Sequence, residues 1–279
     1  MMMRRVLDLR SFALALLLSA LALMPLSAAA GVQRDIAYGQ DRKQKLDLYR
    51  PDAPQNAPIV IMVHGGAWAH GDKGNQAVWR AKSAHYLSKG YLFIAVNNRL
   101  LPQADPLNQA RDVAKAIAYV QSHARSWGGD PQNIALMGHS AGAHLVALLG
   151  ANPRLAASEG ARPWKVTVAL DTASLDIPQS MQNNPPRFLG KAFGNDPRYW
   201  VKTSPRDQLT NHATPFILAC STQRRGPCLA ARQFATSAQN TRAKIIPADL
   251  SHKNMSARLG EANAYTKGVD AALRHFNFP

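Results

Sequence analysis

The apolar residues of this chain are grouped in short runs that alternate with stretches of helical periodicity. Several runs are apolar almost throughout, as strands that are buried on both faces require. Seven β-rich runs occur, at residues 45–49, 59–63, 92–96, 134–137, 166–170, 216–219 and 244–246. The clearest helical pattern extends from Leu107 to Ala124, and Pro106 at its start favours a first helical turn.

Further helices are predicted to begin at Ala141 and to span residues 261–276. This alternation of strands and helices predicts an α/β fold with a mostly parallel central sheet and helices on both faces. Residues 176–211 interrupt the alternation, because they are rich in Pro, Asn, Gly and aromatic residues. We expect this excursion to lie beside the functional site and shape a pocket there, with an inert surface loop as the alternative.

The first 30 residues have the pattern of a secretory signal peptide. Basic residues are followed by an apolar run from Phe12 to Leu26 and by small residues that end at Ala30. The apolar run is shorter than the ~20 residues that span a bilayer, so we expect a cleaved leader and no stable membrane anchor. Residues 31–279 are then expected to form one α/β domain that is periplasmic or secreted.

The chain carries a formal charge of +16, which raises the question of nucleic-acid binding. Its Lys and Arg residues are scattered, aromatic residues are sparse and no binding motif occurs, so we expect no nucleic-acid partner. Cys220 and Cys228 are the only two cysteines. In an exported protein they are expected to form a disulfide.

A candidate nucleophile lies in the motif GHSAG at residues 138–142. The motif directly follows the predicted strand NIALM and directly precedes the helical stretch AHLVALLG. Small residues around a serine at a strand-to-helix turn allow a strained corner that exposes the hydroxyl group above the sheet. The sequence therefore predicts Ser140 as the nucleophile.

The motif HGGAW follows another buried strand, at residues 64–68. Small residues there allow backbone N–H groups to approach a developing negative charge on a substrate oxygen. We predict an oxyanion hole formed by the N–H groups of Gly66, Ala67 and Ala141. Trp68 is predicted to line the substrate pocket.

A serine nucleophile needs a general base, and His252 in the stretch LSH is the candidate. It lies late in the chain and just beyond the last predicted strand, which suits the order serine, acid, histidine. The other histidines belong to tight turns, loops or helices, and none has the spacing of metal ligands. We expect neither a metal nor an organic cofactor.

Together, HGGAW, VNNRLLP, the long stretch from ARDVAKAI to GHSAGAHL, and the late LSH resemble the α/β-hydrolase superfamily. The resemblance is to its esterase/lipase branch with HGG-x-W, which also contains feruloyl esterases and kynurenine formamidases. It implies a serine hydrolase that acts on carboxylic esters. It is specific for the fold and much less so for the substrate.

The chain departs from this family at the triad acid. The family pattern places the acid in the loop after the strand that reads PFILAC here, but the loop STQRRGPC contains neither Asp nor Glu. We prefer Asp171, one strand earlier, because neighbouring parallel strands lie only about 5 Å apart. Asp176 and Asp249 are fallbacks, and an incomplete triad is the alternative. With Asp171 as the acid, Arg224 and Arg225 are expected to face solvent, or alternatively to bind a substrate carboxylate.

These residues predict an exported serine carboxylesterase for small or aryl esters, acting through an acyl-enzyme. One alternative is an arylformamidase, which the resemblance allows. The other is a binding protein without catalytic activity on a hydrolase scaffold, suggested by the missing loop acid. The sequence leaves the natural ester and the oligomeric state open.

Overall fold

The computed structural model describes residues 31–182, 184–238 and 242–279, and the predicted signal peptide at residues 1–30 lies outside these ranges. The described residues form one eight-stranded sheet. Its strands are β1 (Gly31–Ala37), β2 (Lys45–Arg50), β3 (Ala57–Val63), β4 (Leu92–Val96), β5 (Gly129–His139), β6 (Val166–Leu170), β7 (Phe216–Ser221) and β8 (Ala243–Ala248).

Helices connect most of these strands. They are α1 (Gln76–Ser88), α2 (Pro106–His123), α3 (Ala141–Ala151), α4 (Pro153–Ala157), α5 (Ile177–Met181), α6 (Arg187–Phe193), α7 (Pro197–Thr203), α8 (Arg225–Ser237), α9 (His252–Ala257) and α10 (Ala264–His275). Helix α2 begins at Pro106, as predicted, and the side chain of Asp105 accepts a hydrogen bond from the Asn108 N–H at its start. The excursion at 176–211 contains three short helices, α5, α6 and α7.

The strand order is β1-β2-β4-β3-β5-β6-β7-β8. Strand β2 runs antiparallel to both of its neighbours, and β3 to β8 are parallel to one another. The predicted α/β fold with a mostly parallel sheet is therefore confirmed.

Alternating side chains of the strands pack against helices on opposite faces of the sheet. Ile59 and Ile61 of β3 belong to the core on the side of α2 and α3. Val60 and Met62, one position along in each case, belong to the core on the side of α1 and α10. Both faces are covered, which explains why the parallel strands are apolar almost throughout.

Parallel strands end at the same edge of the sheet, and this edge positions the candidate residues. The HGGAW motif follows β3, Ser140 follows β5 and Asp171 follows β6. His252 begins α9, shortly after the end of β8. Residues that are far apart in the sequence therefore meet at one edge.

Candidate active site

Ser140 occupies a strained turn between β5 and α3, with φ at 55° and ψ at −117°. Its N–H donates to the carbonyl of Leu170, the last residue of β6, at 2.9 Å. The flanking glycines are required by close packing: a Cβ at Gly142 would lie 2.3 Å from the His64 carbonyl oxygen, and one at Gly138 would lie 2.3 Å from the Gly142 carbonyl oxygen. The GHSAG sequence thus forms the sharp corner that the motif predicts.

The structure brings Ser140, His252 and Asp171 into contact. Ser140 Oγ lies 3.0 Å from Nε2 of His252. On the other side of the ring, Nδ1 of His252 lies 2.6 Å from Oδ2 of Asp171. A hydroxyl group, an imidazole and a carboxylate are thereby connected in series, which is the arrangement that lets an imidazole take a proton from a serine.

Asp171 is completely buried and held by several donors. Its Oδ1 accepts the N–H of Ser221 at 2.8 Å, and its Oδ2 accepts from His252 and from Nη1 of Arg224. Burial alone would raise the pKa of Asp171, but the hydrogen bonds from His252, Ser221 and Arg224 outweigh it and hold the pKa below its ordinary value. The carboxylate is therefore ionised at neutral pH.

The other two carboxylates that the sequence allowed lie elsewhere. Asp176 caps the start of α5 through the Gln179 N–H and pairs with Arg206 at 2.5 Å. Asp249 is exposed and accepts a hydrogen bond from the Gln223 side chain. Neither contacts His252, so Asp171 is the carboxylate that the fold places against the imidazole.

Both loop arginines are exposed, as expected, but Arg224 also contacts the buried carboxylate. Its Nη1 lies 2.8 Å from Oδ2 of Asp171 and 2.7 Å from Nδ1 of His252. When Nδ1 carries the proton, His252 and Arg224 are two donors that share one carboxylate oxygen, and their own approach is a contact rather than a hydrogen bond. Arg225, the next residue, is exposed. The absence of an acid from this loop was visible in the sequence, but the contact of Arg224 with Asp171 was not.

The predicted disulfide between Cys220 and Cys228 is confirmed. Cys220 belongs to β7 and Cys228 to the first turns of α8, so the bond closes the loop that carries Arg224. The loop that lacks an acid is thus fixed to the strand beside Asp171.

The N–H groups that are predicted to form the oxyanion hole are not used in hydrogen bonds within the described residues. Within the described ranges, the N–H groups of Gly66, Ala67 and Ala141 have no hydrogen-bond acceptor. Ala67 has a positive φ of 51°, and Gly66 has a φ of 128°, where an added Cβ would lie 2.1 Å from the carbonyl oxygen of His70. A tight turn with this geometry, beside the N-terminus of α3, presents unpaired donors next to Ser140.

Trp68 lies in the wall of the cavity, largely buried, and is fixed by residues that the sequence analysis left without a role. Its Nε1 donates to Nδ1 of His144 at 3.2 Å, and its carbonyl accepts from the Gln109 side chain at 2.8 Å. His144 donates in turn from Nε2 to the carbonyl of Thr203 in α7. Burial lowers the pKa of His144 to about 4, so this histidine is neutral and connects α3, the HGGAW turn and the excursion.

His139, the residue before Ser140, supports the position of His252. Its Nε2 lies 2.9 Å from the His252 carbonyl oxygen, and the two rings are 4.5 Å apart. Burial, with a smaller contribution from the neighbouring His252, lowers the pKa of His139 to about 3. The neutral ring therefore donates to the backbone of the residue that approaches Ser140.

A cavity of about 940 Å³ opens above Ser140. Its wall includes the HGGAW turn, Phe188 and Leu189 from the excursion, and Arg224 and Lys253 on the side of His252. Among the residues that the structure describes, no three His, Cys, Asp or Glu side chains are grouped as a metal site requires. Across the same ranges, no helix is both long and apolar enough to cross a membrane.

The sheet order, the serine at a strand-to-helix turn and the histidine beyond the last strand define an α/β-hydrolase fold. Within this class, the chain belongs to the BD-FAE family, whose model matches residues 46–225. The predicted resemblance to the esterase/lipase branch of the superfamily is thereby confirmed.

Individual relatives agree with this family. The probable carboxylic ester hydrolase LipM of Mycobacterium tuberculosis is 37% identical over 123 residues, 43% of this chain and 28% of LipM. Esterase LipQ of the same organism is 32% identical over 200 residues, 66% of this chain and 47% of LipQ. The chain thus spans less than half the length of either relative.

Among solved structures, an inhibited esterase B from Lactobacillus rhamnosis superposes with a TM-score of 0.72 at 20% identity, covering 96% of this chain and 92% of that one. At this level of identity the likeness shows the fold.

Proposed function

We propose that this protein is a serine hydrolase of carboxylic esters. The observation that carries the proposal is the series of contacts from Ser140 Oγ to His252 Nε2, at 3.0 Å, and from His252 Nδ1 to buried Asp171, at 2.6 Å. LipM and LipQ are described as an ester hydrolase and an esterase, and this supports the same reaction here.

In the proposed mechanism, Ser140 attacks the ester carbonyl carbon while Nε2 of His252 accepts the hydroxyl proton. Asp171 holds the imidazole with its proton on Nδ1 and stabilises the imidazolium that forms. The N–H groups of Gly66, Ala67 and Ala141 bind the negative oxygen of the tetrahedral intermediate. His252 then protonates the departing alcohol, and a water molecule activated by His252 hydrolyses the acyl-enzyme.

The preferred substrates are small or aryl esters. The cavity is large enough for an aromatic group, since pockets of roughly 300–1,000 Å³ hold small-molecule ligands. Trp68 and Phe188 supply aromatic surface on the side of the oxyanion turn. Export is part of the proposal, and the Cys220–Cys228 disulfide supports it because such bonds persist in oxidising compartments.

The test is hydrolysis of p-nitrophenyl acetate and butyrate by residues 31–279, beside the Ser140→Ala variant. We expect turnover in the parent protein and loss of several orders of magnitude in the variant. Turnover that persists in the variant would place the chemistry elsewhere. Relative turnover of N-formylkynurenine and an aryl acetate tests the arylformamidase alternative, and preference for the former would favour it.

The binding-protein alternative was suggested by the missing loop acid and by the basic surface. The contact between Asp171 and His252 argues against the first of these two reasons. This alternative predicts that Ser140 does not react with a fluorophosphonate. Ready labelling, abolished in Ser140→Ala, would eliminate it. No labelling of folded protein would favour it over the esterase.

A further inference from the structure

The charges around the cavity are not balanced. Two carboxylates lie in its wall, and both are already neutralised. Asp72 is paired with Lys43 at 3.3 Å and accepts from the Asn97 side chain at 2.8 Å. Asp171 accepts from Arg224 and His252.

Cations in and beside the wall, by contrast, lack carboxylate partners. Lys253 lines the cavity and, across residues 31–182, 184–238 and 242–279, forms no ion pair. A smaller cavity of about 340 Å³ shares Ala67 and Phe188 with the first and is lined by Arg187 and Lys191. These two residues also form no ion pair within those ranges, so the opening presents net positive charge.

Arg224 retains donors that its contact with Asp171 does not use. Only Nη1 is engaged, and in the described part of the chain Nε and Nη2 have no acceptor. The side chain is 42% exposed and lines the cavity. A planar guanidinium with a free edge matches a carboxylate, because it donates two parallel hydrogen bonds to it.

The position of Arg224 defines the part of the substrate that it would meet. The departing alcohol oxygen must lie near Nε2 of His252 to receive its proton. Arg224 contacts the other nitrogen of the same ring, and Lys253 follows His252 in α9. The oxyanion turn at Gly66 and Ala67 comes from a different strand end, after β3. Arg224 and Lys253 therefore lie on the side of the leaving group. Arg187 and Lys191, by contrast, lie beside the oxyanion turn.

We propose that the cavity selects esters whose alcohol portion carries a carboxylate, and that Arg224, with Lys253 beside it, binds that carboxylate. This inference rests on the proposed esterase function. It assigns a specificity role to the loop that contains no Asp or Glu and carries Arg224. The fixed position of Arg224 follows from the Cys220–Cys228 disulfide and from the shared contact with Asp171.

The test compares para-acetoxybenzoate, whose leaving group is anionic, with its uncharged methyl ester. The readout is the ratio of their kcat/KM values, because Arg224→Gln also disturbs Asp171 and changes the turnover of both esters. We expect a ratio above one for the parent protein and a fall of about tenfold in Arg224→Gln, as the loss of one charged hydrogen-bonded pair implies. Lys253→Gln, which leaves the contacts among Ser140, His252 and Asp171 in place, should lower the ratio by a smaller factor.

Arg225→Gln is the matched control, because it removes the same charge from the neighbouring exposed position outside the cavity wall. Its ratio should equal that of the parent. An unchanged ratio in Arg224→Gln, or an equal fall in Arg225→Gln, would overturn the inference while the esterase function stands. A preference for a carboxylate on the acyl side, seen with p-nitrophenyl hydrogen succinate against p-nitrophenyl butyrate, would overturn it as well.

Binding to the Ser140→Ala variant provides a readout that needs no turnover. Calorimetric titration with para-acetoxybenzoate should show about tenfold weaker binding once Arg224→Gln is added, with no such change for the methyl ester. Failure of both esters to turn over in the parent would defeat the esterase function. In that case the titration alone would test whether Arg224 binds a carboxylate. Equal affinity for para-acetoxybenzoate in Ser140→Ala with and without Arg224→Gln would refute this binding.

Discussion

Asp171 has a backbone conformation that few side chains adopt, with φ at 52°, and its N–H continues the sheet by donating to the Ala219 carbonyl at 2.7 Å. Ser140 does the same one strand away, with φ at 55° and its N–H bound to Leu170. Each residue leaves its strand by a sharp turn while the ladder still holds its backbone. The surrounding structure holds both residues in these strained conformations. The two side chains therefore keep a fixed position relative to each other.

Replacing Asp171 by Asn tests its role directly. In Asp171→Asn, the amide oxygen can still accept the Ser221 N–H, while the amide nitrogen faces Nδ1 of His252. Nδ1 must then accept a hydrogen bond from this amide, so the neutral ring carries its proton on Nε2 and cannot take the proton of Ser140. We expect kcat for p-nitrophenyl acetate to fall about ten-thousand-fold with the fold retained.

The control for this variant is Asp249→Asn, because Asp249 is close to His252 in the sequence but is exposed and accepts a hydrogen bond from Gln223. It should hydrolyse the ester at the parental rate. Comparable activity in the two variants would mean that Asp171 does not act on His252.

At the scale of elements, helix α2 is attached to the sheet by a buried ionic cluster. Asp112 of α2 is completely buried and accepts from Nε and Nη2 of Arg99 at 2.8 and 2.6 Å, and from the Gln44 side chain at 2.7 Å. Arg99 follows β4, so the cluster joins the end of this strand to the helix. The same helix holds the HGGAW turn through Gln109, which links the cluster to the site.

Removing Asp112 should be costly, since it leaves the Arg99 guanidinium and the Gln44 amide without their main acceptor. We expect Asp112→Ala to lower the free energy of unfolding by about 1–3 kcal/mol, because the buried Gln44 amide loses its acceptor while the Arg99 side chain, 27% exposed, can still contact water. Urea denaturation followed by circular dichroism measures this. Asp52→Ala, at an exposed position, should stay within about 0.5 kcal/mol of the parent, and an equal loss in both would show that the cluster contributes nothing specific.

The sequence predicted the strands and helices that a local pattern of apolar residues or a helix-start signal marks. The seven apolar runs correspond to β2 through β8, and Pro106 correctly marked the start of α2. It did not predict β1, whose residues are almost all exposed and show no apolar alternation, because that strand is defined by pairing with β2. Helices α1 and α8 also went unpredicted, and in α1 the buried set includes Lys82 and Ser83, which no apolar periodicity would identify.

For the molecule as a whole, Lys82 connects α1 to α9, the helix that begins at His252. Its side chain is fully buried, and Nζ donates to the Ala77 carbonyl at 2.8 Å and to the Ser256 carbonyl of α9 at 2.6 Å. Burial lowers the pKa of Lys82 to about 7. Two neutral carbonyls do not replace the hydration that an ammonium group loses, so the charged form is disfavoured in the folded protein.

This lysine makes stability depend on pH. In the unfolded chain a lysine titrates near its ordinary pKa of about 10.4, so between pH 7 and that value the unfolded state binds one more proton than the folded state. The contribution of Lys82 to stability therefore rises with pH across this window, by up to about 1.4 kcal/mol per pH unit, and is lost again as pH falls towards 7.

Lys82→Met should remove this contribution. Its free energy of unfolding, subtracted from that of the parent at each pH between 7 and 9.5, should give a difference that grows in favour of the parent as pH rises. Subtraction cancels the titration of the other groups. A difference that is constant across the range would mean that Lys82 titrates alike in both states.

By itself, the sequence determined the alternation of buried strands and helices, the serine corner, the glycine-rich turn and the late histidine. Each of these depends on local spacing, which a linear pattern records. The tertiary structure alone decided which carboxylate faces His252, because that contact joins the ends of β6 and β8 across β7. It also decided that Arg224 binds the same carboxylate, and that His144 and Gln109 hold Trp68 in the cavity wall. Side chains far apart in the sequence meet beside Ser140 because the parallel strands all end at the same edge of the sheet. No local sequence pattern records which of these side chains will be in contact.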